Sequence, residues 1–422
     1  MNHPKMKYVY VGIDSHKETH TAVIMDCFSE KMDEVKFPNV PSEFENFLNQ
    51  IREIVKKGII EERCAIGTVP AFGLEDTSTY GRSLAVFLRD NGQIVKHIHA
   101  YLVYGYRKAE SIDKTDSADA ECAARVLYGS FNKRQNANPQ DKYWVLGKLV
   151  ARRNQVVKMN RALRNQLHAF ITSNYPGYRG FFENIDCNSS LAFYEKYPSP
   201  SKLRGITAEE LAEMLEEYSN KRLRLQKARE ILDCVERAGN TTIEFQETSD
   251  LVIPSIIRQY RRNVDEMNSL EAIIADFLNN FPYQLTSMAG IDTITAAGFI
   301  SEIGDIRRFP SPAKLAYYCG VAPITVESGE EKKQFPNKRG NRSLNSLFYM
   351  LAVRLTMPIG KEKRIVNPFF YEYYNQKLSD GKAPRQAMKC VERRLVNIIW
   401  RMMTYNEKYV NPPSYNLPKT EK

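Results

Sequence analysis

An α/β unit followed by a largely helical chain is the fold class the sequence predicts, and three observations predict it. Apolar runs of strand character fall between residues 7 and 130. Helical periodicity replaces them from residue 131 onward. Four acidic residues of the first part, Asp14, Glu75, Asp116 and Asp119, stand beside the ends of its predicted elements.

The elements follow in order. Tyr8 to Ile13 and Thr21 to Met25 read as strands joined by a polar turn. Phe44 to Lys57 has helical spacing, and Cys64 to Gly67 and Gln93 to His99 read as further strands. SLAVFLRD, after Glu75, and ECAARVL, after Asp119, read as helices. Residues 131–280 form a helical, coiled-coil middle suited to linking and oligomerisation. There Thr207 and Glu210 make a capping box before LAEMLEEY. Leu251 to Phe277 has the three-four spacing of a long coiled-coil or hairpin helix, with Pro254 limiting its start. Residues 281–405 form a second compact, mainly helical unit, and 406–422, with Pro412, Pro413 and Pro418, a polar tail.

Composition narrows the function classes. A hydrophobic fraction of 43% and an aromatic fraction of 11% exclude a disordered chain. No apolar run reaches the roughly 18–20 residues of a bilayer span, and the N-terminus enters a strand without a signal sequence, so a cytoplasmic protein is expected. The seven cysteines are scattered with no CxxC pair, which argues for reduced packing residues and against zinc. The six histidines show no metal-ligand spacing, and His97 and His99 alternate on the expected strand. A net charge of +10 fits a nucleic-acid partner. Between Lys142 and Arg164 there are seven Lys/Arg and no acidic residue, with Leu146, Leu149, Val150, Val156, Val157 and Leu163 at helical spacing. One face of that helix would pack while Arg152, Arg153, Lys158 and Arg161 meet phosphates; a merely solvated basic face is the alternative.

The four carboxylates carry the chemistry. Asp14 follows the apolar run YVYVGI, so it sits at a strand end, where a side chain can enter a cleft. Asp116 and Asp119 are three apart and share one helix face. Four carboxylates in one pocket repel unless cations neutralise them, and oxygen ligands suit Mg²⁺ or Mn²⁺. Two such ions about 4 Å apart support phosphodiester cleavage. The alternatives stay open at this point: Asp116 as a helix N-cap, Asp14 as part of a phosphate-binding hairpin in a sugar-kinase-like ATPase, or a nucleic-acid binder without catalysis.

GIDSHK, GLEDTSTYG and DKTDSADA, in that order and spacing, resemble the DEDD-type insertion-sequence transposases. These are the bridge-RNA-guided recombinases of the insertion-sequence family numbered one hundred and ten. The stretch LTSMAGIDTITAAGFISEIGDIRRFPSPAKLAYYCGVAPITVESGEEKKQFPNKRGNRSL resembles that family's second domain. The resemblance covers most of the chain, the helical middle least. It implies an RNase-H-like (RuvC-like) N-terminal domain over 1–130 and a transposase domain over 281–405. It further implies Asp14, Glu75, Asp116 and Asp119 as ligands of two Mg²⁺ or Mn²⁺ ions, and Ser328 in VESG as the nucleophile. Donor and target DNA, a structured guide RNA, and a homodimer or tetramer in which Ser328 of one subunit meets the carboxylates of another are implied as well. The setting would be the nucleoid of a bacterium or archaeon. A serine nucleophile conserves the phosphodiester bond energy for rejoining; with water instead, the enzyme would be a RuvC-like hydrolytic Holliday-junction nuclease. Lys332, Lys333, Lys338, Arg339, Asn341 and Arg342, beside Ser328, are expected to hold phosphates. MAGIDTITAAGFISEIG reads as a helix-hairpin-helix on phosphate or as a tight packing turn. Ser78 and Asn345 depart from the family pattern, which has glycine and arginine there.

Overall fold

Tyr8–Ser15 (β1) has five consecutive buried residues, the mark of a strand covered on both faces. In the computed structural model it is the middle of a five-stranded sheet of order β3-β2-β1-β4-β5. The structure describes residues 3–75, 79–134, 136–137, 141–175, 177–239, 243–328, 331–337, 340–360 and 362–410, without the side chains of 179, 325–328 and 331–333. The chain divides into two compact units, Met1–Trp144 and Val145–Lys422.

In the first unit β1 pairs antiparallel with Thr19–Met25 (β2), which pairs antiparallel with Lys31–Pro38 (β3). On its other side β1 runs parallel to Val69–Leu74 (β4), and β4 runs parallel to Ile94–His97 (β5). The helices are Pro41–Ile60 (α1), Arg82–Asp90 (α2), Ala100–Ala109 (α3) and Asp116–Ser130 (α4). Alternation sorts the β1 side chains between two layers. Val9, Val11 and Ile13 join Phe44, Phe47, Leu48 and Ile51 of α1 and Leu84 and Leu88 of α2. Tyr10 faces the opposite layer with Val103 of α3 and Ala120, Ala124 and Leu127 of α4. Each fully buried Phe or Leu stabilises the sandwich by about 1.5–3 kcal/mol.

This α/β order matches the expected fold class, with local differences. Cys64 to Gly67, expected as a strand, lies in turns, and the strand is β4 five residues on. β5 stops at His97, and His99 instead precedes α3 as its N-cap residue. β3 and α3 had no counterpart in the sequence reading. β3 buries only Val35 and Phe37, so its apolar pattern is thin.

The long Lys142–Asn174 (α5) begins at the end of the first unit and continues into the second. There follow Asn188–Lys196 (α6), Ala208–Tyr218 (α7), Leu225–Ala238 (α8), Gln246–Ser249 (α9) and Val252–Phe277 (α10). α7 starts with the expected capping box: Thr207 N–H donates to Glu210 Oε2 at 2.9 Å, and Glu210 N–H to Thr207 Oγ1 at 3.2 Å. α10 matches the expected long helix, with Pro254 in its first turn, where a missing N–H costs nothing. A separate core forms around Leu167, Phe181, Phe193, Tyr194, Leu215 and Ile257. No helix among the described residues is long and apolar enough to cross a membrane.

The last part holds Thr293–Ile303 (α11), Pro312–Tyr318 (α12), the hairpin Ile324–Ser328 (β6) and Glu331–Phe335 (β7), Arg342–Thr356 (α13), Pro368–Ser379 (α14) and Pro384–Tyr405 (α15). Its core includes Phe299, Phe348, Leu351, Leu395 and Ile399.

Candidate metal centre and nucleic-acid interface

The acidic cluster is assembled by strand register and one close helix contact. Ile13 pairs with Leu74 in the parallel β1–β4 ladder, so Asp14 and Glu75 each follow the last pair at adjacent strand ends. α4 lies over β1 at Gly12. A Cβ there would fall 2.2 Å from both the Ala120 carbonyl oxygen and the Ala124 amide nitrogen. Glycine and a small-residue helix face therefore let α4 backbone touch the strand, which brings the first turn of α4 to the end of β1. That turn carries Asp116 and Asp119. Thr115, not Asp116, caps the helix, accepting from Ala118 N–H at 3.1 Å. Both aspartates are thus released from the capping role, and their charge is favourable at the helix N-terminus.

His16 ties the cluster together. Its Nε2 lies 3.0 Å from Asp14 Oδ2 and 3.2 Å from Asp116 Oδ1. One ligand atom from each of Asp14, His16 and Asp116 fits within 4.8 Å of the other two. Asp119 pairs with Arg107 of α3 at 3.0 Å, both largely buried. Glu75 is half-buried. Burial pushes the Asp14 carboxyl above its ordinary range; the charges of Asp119 and Asp116 push the same way, and His16 pulls against them. This pocket gathers more negative charge than its neighbours neutralise, and its donors are hard oxygens with one imidazole. That chemistry fits Mg²⁺ or Mn²⁺.

His16 corrects the expectation that no histidine stands at metal-ligand spacing. The signal was present in VGIDSHK: residues 14 and 16 share a strand face. Arg107 was missed for a different reason, because only the packing of α3 against α4 brings it to Asp119.

The expected phosphate contacts divide. On α5, Lys158 and Arg161 are exposed and make no ion pair among the described residues. Arg152 pairs with Glu266 of α10 at 2.6 Å, and Arg153 with Glu271 at 2.5 Å. These two arginines join α5 to α10, so the basic face is not one free stripe. In the last part, Ser328 closes β6 opposite Glu331. Side chains of Ser328, Lys332 and Lys333 lie outside the described residues, as do Lys338 and Arg339 altogether. Asn341 caps α13, accepting from Leu344 N–H at 2.9 Å and donating to Glu302 Oε2 at 2.8 Å. Arg342 is exposed. Gly340 lies against Gly320, where a Cβ on Gly340 would fall 2.4 Å from Gly320 N. At the expected helix-hairpin-helix, Asp292 caps α11, accepting from Thr295 N–H at 2.7 Å and pairing with Arg354 at 3.1 Å. A carboxylate already occupies that helix start, which favours the packing reading.

Sheet order, strand directions and the acidic cluster at the β1 and β4 ends define an RNase-H-like domain of the DEDD type, a DNA-processing class. Two family models match the chain: a DEDD-type transposase domain over residues 11–176, and the IS116/IS110/IS902 transposase family over 283–364. The chain is an IS110/IS116-family transposase. It is 24% identical over 425 residues to an uncharacterized 44.8 kDa protein of insertion element IS116 from Streptomyces clavuligerus, covering 96% of this chain and 97% of that protein. To the 43.6 kDa protein of IS110 from Streptomyces coelicolor it is 23% identical over 403 residues, 94% of each chain. A pilin gene-inverting protein of Moraxella bovis is 27% identical over 134 residues, 31% of this chain and 39% of that one.

Proposed function

We propose that this transposase moves an insertion sequence by metal-dependent DNA strand cleavage and exchange through Ser328, guided by a structured RNA. The observation that carries the reading is the convergence of Asp14, Asp116 and His16 at one strand end. Asp14, Glu75, Asp116 and Asp119 would hold the divalent ions. When bound, Mg²⁺ or Mn²⁺ supplies Lewis-acid polarisation of the phosphodiester and lowers the pKa of a bound hydroxyl.

The chain's own residues do the rest. Ser328 Oγ attacks phosphorus and gives up its proton; an Oγ–P bond forms, and the P–O bond to the leaving strand breaks. The leaving sugar oxygen takes up a proton. A hydroxyl of the incoming strand then reverses the step, forming a new P–O bond and freeing the serine. All six histidines precede residue 169, so no neighbour of Ser328 in sequence is an imidazole base. The carboxylates and the serine belong to different units, and the proposal requires both to act on one phosphodiester. Arg107 positions Asp119 through their ion pair. Lys158, Arg161 and Arg342, all exposed, are cations that could meet phosphates, and the matched gene-inverting relative supports a rearrangement of DNA over simple degradation. A homodimer or tetramer working on the nucleoid belongs to the same reading.

The test is cleavage of labelled element DNA by the full chain with its RNA. Wild type should cut with Mg²⁺ and not with chelator, and Asp116→Asn should bind the DNA without cutting it. Wild-type cutting by Asp116→Asn would sink the metal assignment.

A further inference from the structure

Beside the β6–β7 hairpin, α13 and α15 enclose a cleft of about 600 Å³ that the proposed reaction does not use. Tyr349, 47% exposed, and Met357 stand at its mouth, and Tyr374 and Met388 are buried in its wall. Glu392 of α15 lines it as well. Its side chain is 1% exposed; Oε2 accepts from Lys389 Nζ at 2.6 Å, and Oε1 has no partner among the described residues. A buried carboxylate oxygen without a donor is costly unless something fills the role. The cleft adjoins a wider one lined by Gln334 and Phe335 of β7 and by Arg342 and Arg385. Arg342 and Arg385 are exposed and make no ion pair among the described residues.

We propose that this cleft takes one unstacked nucleotide of the DNA being processed. The base would stack on Tyr349 against the methionines, its polar edge on Glu392 and Lys389, and its phosphate on Arg385. The parts match that ligand: an aromatic face for a base, an adjacent acceptor and donor for its edge, and cations at the rim for its phosphate. A helical peptide or an apolar ligand would leave the arginines and the Glu392 oxygen unanswered. The inference rests on the DNA-processing reading, and it adds a base-reading site in the serine-bearing unit. Burial also pushes the Glu392 carboxyl up, with Lys389 pulling against it, so the group gains from a polar partner.

The test uses the full chain and single-stranded DNA octamers carrying either a central 2-aminopurine or an abasic site. Wild type should bind the base-bearing octamer about tenfold more tightly, within the range of stacking one base on an aromatic ring, and quench its fluorescence. Tyr349→Ala, at an exposed position, should erase both effects while leaving affinity for the abasic octamer unchanged. Glu392→Gln should weaken the preference with Tyr349 intact. Equal affinity for the two octamers, a preference that survives Tyr349→Ala, or a base effect confined to RNA octamers would each overturn the assignment. Binding of neither octamer, with no cutting of element DNA, would remove the DNA-processing reading and the cleft with it. Cutting without a base preference removes the cleft alone.

Discussion

Asp14 is held among like charges, and that sets what its neighbours do. His16 faces both Asp14 and Asp116 with a single nitrogen, so it balances the pair only in part. His16→Ala is expected to lower DNA cleavage by about 10- to 100-fold, the usual cost of losing a group that orients metal ligands. The decrease should be accompanied by weaker Mg²⁺ binding in a titration, and unchanged Mg²⁺ affinity would count against it. Asp14 was legible in the sequence because an apolar run of strand length ended on it. His16 is harder to read, because Asp116 stands a hundred residues further along the chain and reaches it only when α4 packs on β1. The role proposed for Ser328 rests on the family pattern around it, since no histidine follows residue 168 in the chain.

At the scale of elements, packing decided what periodicity could not. α7 and α10 were readable because capping residues and three-four spacing are local. β4 was not, because VPAFGL has a proline and a glycine, and its place beside β1 comes from the parallel ladder. α3 has the aromatic-rich sequence AYLVYGYRKA, which local propensity does not separate from a strand. Gly12 shows how much one contact positions: Gly12→Val should destabilise the first unit by about 1–3 kcal/mol or more, because α4 backbone cannot retreat as a side chain would. Chemical denaturation should show the loss; a neutral variant would mean that α4 does not seat on the strand there.

Asp292 gives a pH prediction at the same scale. Burial tends to raise its pKa, but hydrogen bonds to Thr295 and the Arg354 pair outweigh burial and hold it below the ordinary carboxylate range. A lowered folded pKa means that its stabilisation is present above the unfolded value and is lost as pH falls through the folded one. Asp292→Ala should cost about 1 kcal/mol at neutral pH, typical of a lost cap, and nothing once the pH is below both values. Thermal unfolding across that acid window measures it; an equal loss at both ends would point to packing instead of charge.

For the whole molecule, charge bears most directly on the nucleic-acid partner of the proposed function. The net charge of +10 fits a polyanionic partner, but its distribution needed the fold: Glu266 and Glu271 neutralise Arg152 and Arg153, while Lys158 and Arg161 make no ion pair among the described residues. Replacing Lys158 and Arg161 by alanine should flatten the salt dependence of nucleic-acid affinity by about one in log-log slope per residue, with little change for the Arg152 variant. Fluorescence anisotropy over a salt series distinguishes these. The sequence reading divides the folded chain at residues 130 and 280, whereas packing divides it once, after Trp144, with α5 running from the end of one unit into the other.

We propose strand exchange that passes through Ser328 and depends on the carboxylate cluster. Its most direct measurement is a denaturing gel of labelled element DNA incubated with Mg²⁺ and wild type, Ser328→Ala or Asp116→Asn. A covalent protein–DNA adduct should form with wild type alone. Cut DNA without an adduct, at equal rates in wild type and Ser328→Ala, would contradict it and make water the nucleophile.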